Sequence, residues 1–164
     1  MRRDTIHFLI GFPAIFLIMA NIIDKKFSIL KFKFPYSFIP AIPFMIAGAS
    51  VVIWALTVLI MKGEGDRKPL RPTKKLVTTG PYRYCRHPMI LGLIIYYTGI
   101  SIWAGSLTAL AMFALLMFFN IIYVKNIEEE GLEARFKEEY TRYRDKTPFL
   151  IPKLKKEKPL EQGT

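Results

Sequence analysis

Gly80-Pro81-Tyr82-Arg83-Tyr84-Cys85-Arg86-His87-Pro88-Met89-Ile90-Leu91-Gly92 joins a basic loop to an apolar run. A segment that only enters lipid needs no such density of arginine, tyrosine, histidine and proline at its mouth, because each polar group there costs desolvation unless it finds a partner. Pro88 stands where a first-turn proline belongs, which puts His87 at the N-cap of a helix. Free N–H groups and the positive end of the helix dipole converge at that corner, and they suit an anionic or strongly polar ligand.

Outward from the corner, four predominantly apolar stretches are read: Thr5 to Ile23, Pro40 to Met61, Pro88 to Ala104 and Leu107 to Val124. Each approaches the ~20 residues a helix needs to cross hydrocarbon, the third being short. The chain is 164 residues long, with 52% hydrophobic beside 23% charged residues, so charge is segregated from apolar runs within one domain. The pattern predicts an all-α integral membrane protein with about four transmembrane helices and a C-terminal helix on the cytoplasmic side. A single membrane-embedded domain is expected over 1–152, its motif-bearing part over 61–152, with a basic, disordered tail over 153–164.

Arg2 and Arg3 before an apolar core resemble a secretory signal, but no small-residue cleavage site follows, so the segment is expected to be retained. With both termini and the long middle loop inside, 20 of the 24 Lys and Arg residues are cytoplasmic, as the positive-inside rule asks. The four lysines between the first two spans are the discordant group. Phe27 to Tyr36 alternates lysine with apolar residues, a pattern for a chain lying in the interface. A net charge of +11 next to membrane spans points to acidic lipid headgroups rather than nucleic acid. Cys85 is the only cysteine and His7 and His87 the only histidines, which leaves no disulfide and too few ligands for a zinc or di-iron site. No obligate protein partner is evident.

The second helix is expected to start at Pro40 or Pro43 and to stop at Gly63 and Gly65, and the loop to Thr79 reads as ordered coil. Gly105-Ser106 predicts a tight hairpin that makes the third and fourth helices antiparallel neighbours. The fourth continues into Glu128, Glu129 and Glu130, after which Glu129, Leu132, Phe136, Tyr140 and Tyr143 form one stripe. The His87 corner and the glutamates then lie at the same end of antiparallel partners and are expected to wall a cleft. Phe136, Tyr140 and Tyr143 read as packing, Cys85 as an inert thiol and His7 as an interfacial residue. Arginines beside a span, Arg83 included, serve topology as often as chemistry.

The lead-in Lys75-Leu76-Val77-Thr78-Thr79-Gly80-Pro81-Tyr82, the core Arg86-His87-Pro88, and Glu128-Glu129 followed by Leu132, Phe136, Glu139-Tyr140 and Tyr143 resemble the isoprenylcysteine carboxyl methyltransferase family. That family is similar to the membrane phospholipid N-methyltransferases. The resemblance covers roughly Lys62 to Pro152 and implies a multi-span enzyme using S-adenosylmethionine on the cytosolic side, the C-terminal helix completing the cofactor pocket. It implies cofactor contacts at Lys74, Lys75, Leu76, Val77, Tyr82, His87, Pro88, Met89, Ile90 and Glu128. Two positions depart from the family pattern. Ile90 stands where a tyrosine is usual, and Val124 where the carboxyl-methylating enzymes commonly have arginine, so an amine headgroup is favoured over a prenylcysteine carboxylate as acceptor.

Methyl transfer from a sulfonium is an in-line displacement, so alignment and water exclusion matter most. Glu129 is the candidate to take a proton from an amine or to hold the ammonium, and Arg83 and Arg86 are candidates to hold a lipid phosphate. Two other readings stay open: an NADPH-binding membrane enzyme similar to the sterol reductases, and a non-catalytic scaffold whose basic face binds acidic lipid.

Overall fold

The computed structural model describes residues 12–27, 36, 38–63 and 74–152. The expected interfacial stretch, the loop between 64 and 73 and the tail from 153 lie outside those residues, apart from Phe27 and Tyr36 at the ends of the first of these. The helices are α1 Phe12–Phe27, α2 Phe38–Lys62, α3 Pro88–Ala104, α4 Leu107–Tyr123 and α5 Glu129–Lys146. A 3-10 turn, Gly80–Arg83, leads toward α3, and a π-helical turn, Val124–Glu128, joins α4 to α5. No strand occurs among the described residues.

Among the described residues two helical runs are long and apolar enough to cross a membrane: α2, with 25 residues, and Leu107–Lys146, with 40, which α5 continues through the π-helical turn. At 1.5 Å per residue α2 reaches about 37 Å. The 17-residue α3 is apolar but shorter. α2 opens at Phe38, earlier than proline placement suggested: Pro40 falls in its first turn and Pro43 inside the helix. A proline there removes one backbone N–H from the ladder.

α2 and α3 form the most extensive pair because their small residues meet. A Cβ added at Gly48 would lie 2.6 Å from the Gly92 carbonyl oxygen, and one at Gly92 would lie 2.7 Å from Val52 Cγ2. Such seams let backbones approach in lipid, where apolar surface gives little drive for helices to associate. The interior joins Ala20 of α1, Val52 and Leu56 of α2, Leu93, Tyr97 and Ile100 of α3, and Ala109, Phe113 and Met117 of α4. Tyr97 and Phe113 stack at 4.6 Å with their planes 3° apart.

The hairpin at Gly105-Ser106 forms as the sequence indicates. Gly105 adopts φ 60 and ψ 32, left-handed values that glycine takes without a Cβ penalty. Ser106 caps α4, its Oγ accepting from Ala109 N at 3.0 Å and donating to Asp24 Oδ2 at 2.8 Å. Asp24 is buried, so this pair fastens the end of α1 to the hairpin. The antiparallel return carries α5 back to the end of the bundle where α3 begins.

Candidate active site

His87 is the N-cap of α3, with φ −121 and ψ 63, and its side chain does not cap the helix. The imidazole turns instead to α5, where Nε2 lies 3.1 Å from Glu129 Oε1. Arg86 reaches the same carboxylate with both prongs of its fork: Nε donates to Oε1 at 2.8 Å and Nη2 to Oε2 at 3.3 Å. Its Nη1 donates to the carbonyls of Arg144 at 2.9 Å and Thr147 at 3.1 Å. Four hydrogen bonds therefore engage a guanidinium that has five N–H donors in all.

These groups are inside the protein, with the Arg86 and Glu129 side chains 11% and 9% exposed. Burial pushes the Glu129 carboxyl up, but the His87 hydrogen bond, the Arg86 charge and neighbouring Tyr140 outweigh it and hold it below its usual range. Tyr140 is buried against the same carboxylate, its hydroxyl short of a regular hydrogen bond. Burial and then Glu129 push that phenol up. The expected cleft between His87 and the acidic exit is thus replaced, at this point, by direct contact.

Below the knot, the corner is built on α2. Gly63 closes α2, its N–H donating to Leu59 O at 2.9 Å, and its carbonyl accepts from Lys74 N at 2.9 Å and Lys75 N at 3.2 Å. Val77 and Tyr82 pack on Ala55, with Val58, Leu59 and Met89 against them. Gly80 has φ +65 and sits so close that a Cβ would lie 3.0 Å from Val58 Cγ2. The Tyr143 hydroxyl donates to the Tyr82 carbonyl at 2.6 Å, tying α5 to the 3-10 turn.

The family model for phospholipid methyltransferase matches residues 36–139, which hold α2, the corner, α3, α4 and most of α5. The chain belongs to the phospholipid methyltransferase family. Among curated relatives, a nickel-cobalt-cadmium resistance protein of Alcaligenes xylosoxydans is 35% identical over 51% of this chain and 39% of its own. The protein-S-isoprenylcysteine O-methyltransferase of Schizosaccharomyces pombe is 34% identical over 47% and 33%. A methanethiol S-methyltransferase of Bradyrhizobium diazoefficiens is 35% identical over 44% and 27%. The matched region thus spans less than half the length of these relatives. No solved structure matches.

Within this phospholipid methyltransferase family member, the candidate residues read from the sequence fall into three sets. Arg86, His87 and Glu129 converge in the knot; Val77, Tyr82 and Met89 converge on α2, with Pro88 and Ile90 buried beside them. Lys74, Lys75, Arg83 and Glu128 are exposed, and Leu76 is half-buried. Glu128 is nevertheless close enough to Tyr82 for its charge to add to burial in pushing that phenol up. Among the described residues no three His, Cys, Asp or Glu converge as metal ligands would. Burial pushes the Cys85 thiol up, away from the reactive thiolate.

Sequence reading did not single out the segment after α5. Arg86 N donates to Pro148 O at 2.9 Å and His87 N to Phe149 O at 3.2 Å. The Phe149 ring lies 4.7 Å from the imidazole and 5.7 Å from Arg86 Cζ. The signal in the sequence is Phe149-Leu150-Ile151, an apolar run directly after a charged helix.

Proposed function

We propose that the chain is an S-adenosylmethionine-dependent methyltransferase of the cytoplasmic membrane face, acting on a lipid or other hydrophobic acceptor with an amine headgroup. The observation that carries this reading is the Arg86–His87–Glu129 knot, which joins the two motif halves in a chain of this family. A multi-pass arrangement of about four spans with cytoplasmic termini follows from the charge distribution, and the basic faces then meet acidic headgroups.

The residues present fit the cofactor. His87 leaves the first-turn N–H groups of α3 uncapped by its side chain, which suits the methionine carboxylate. Exposed Glu128 suits ribose hydroxyls, and Leu76, Val77, Tyr82, Met89 and Ile90 supply an apolar flank for adenine, with Lys74 and Lys75 at the rim. When bound, S-adenosylmethionine supplies the electrophilic methyl group.

The protein's own work is alignment and charge placement. Arg83, exposed on the 3-10 turn, is the candidate for a lipid phosphate, since most of the Arg86 donors are engaged. Glu129, held as an anion, favours a cationic headgroup nearby rather than taking its proton.

Radiolabelled methyl transfer from S-adenosylmethionine into a total lipid extract tests this directly, with identification of the labelled species. Calorimetry with S-adenosylhomocysteine and NADPH separates the alternatives. NADPH binding alone makes the chain reductase-like, and binding of neither ligand leaves the acidic-lipid scaffold.

A further inference from the structure

We propose that Phe149 is a positioning residue for the cofactor site, holding the N-terminus of α3 in place through His87. This rests on the methyltransferase reading and adds an element beyond residues 36–139, where the family match lies.

An N-cap residue commonly fixes its helix through its own side chain, bonded to the first turn. His87 has no such bond. Its imidazole is drawn to Glu129, and its backbone N–H is taken by the Phe149 carbonyl at 3.2 Å. The Phe149 ring then tilts against the imidazole at 48°, with the Arg86 guanidinium over it. The segment is itself anchored: Thr147 N donates to Tyr143 O at 2.9 Å, and Arg86 grips the Thr147 and Pro148 carbonyls. The cap is thus set from outside, by a strap on α5.

The two backbone bonds survive any side-chain change at 149, so the ring is the part a substitution removes. Without it the imidazole keeps Glu129 but loses its second wall, and the angle at which α3 presents its open N–H groups rests on the two backbone bonds alone. The burden falls on cofactor affinity rather than on folding.

The test is calorimetry of the full chain in detergent with S-adenosylhomocysteine, beside a thermal melt, for wild type and for F149L, F149A and F149Y. F149L and F149A are expected to weaken binding about three- to tenfold, the size of one aromatic contact. F149Y is expected to restore binding, and the F149L melting temperature to stay within about 3 °C of wild type. Binding by F149L equal to wild type overturns the proposal, as does a loss that F149Y does not restore. If F149A fails to fold, F149L decides. Wild type that binds no S-adenosylhomocysteine refutes the methyltransferase reading instead, so the two failures are distinct.

Discussion

Replacing Arg86 with alanine removes four hydrogen bonds at once: two to the Glu129 carboxylate and one each to the carbonyls of Arg144 and Thr147. Removing one member of a buried pair destabilises by about 3–5 kcal/mol, chiefly because the other charge stays buried and uncompensated. The pair is almost fully enclosed, so solvent screening offers little relief. At about 2–4 °C per kcal/mol for a chain of this size, the melting temperature is expected to fall by about 10 °C. Trp54 and Trp103, on α2 and α3, make intrinsic fluorescence in detergent a suitable readout. A double-mutant cycle supplies the decisive number. R86M and E129L alone are each expected to destabilise by a similar amount, and R86M with E129L by about 2 kcal/mol less than the sum of those two, because the pair then vanishes together. Single mutants that move the melt by less than about 3 °C, or a strictly additive double mutant, would refute the claim that this knot joins the corner to α5.

Because the Glu129 carboxyl is held below its ordinary value of 4.5, its contribution to stability should be complete above that pH and fade as acid carries the pH through the lower folded value; E129Q should flatten this part of the melting-temperature profile. Ser106→Ala removes the α4 cap and strands the buried Asp24 carboxylate, whose Oδ1 has no hydrogen-bond partner, so a loss of about 2–4 kcal/mol is expected in a denaturant titration. Lys137 bends α5 at φ 47 and ψ −124, a region that suits glycine. K137G is therefore expected to gain about 1 kcal/mol while K137A gains nothing, and equal melting temperatures for the two would remove the idea of strain at that bend.

The corner and the hairpin were legible because short-range chemistry writes them: proline at a first helical position, glycine at a left-handed cap, serine at an N-cap. Antiparallel α3 and α4 then bring His87 and the glutamates to one end without further information. What pattern reading could not supply was their relative depth. Val124 and Glu129 both face the interior and are five residues apart, joined by the Glu129 N to Val124 O bond of the π-helical turn. On an unbroken α-helix a spacing of four would have turned Glu128 inward from Val124 and left Glu129 a further step round. One residue absorbed in a wider turn reverses the pair, exposing Glu128 and burying Glu129 between Arg86 and His87. No apolar period marks that turn, since π-turns persist where tertiary contacts compensate their looser geometry. The compensation here is the charge knot itself, so the same contacts that close the site also fix the register of the helix that carries it. A chain lacking Arg86 is then expected to lose both together, with the π-turn relaxing toward regular helix and Glu128 competing with Glu129 for the interior.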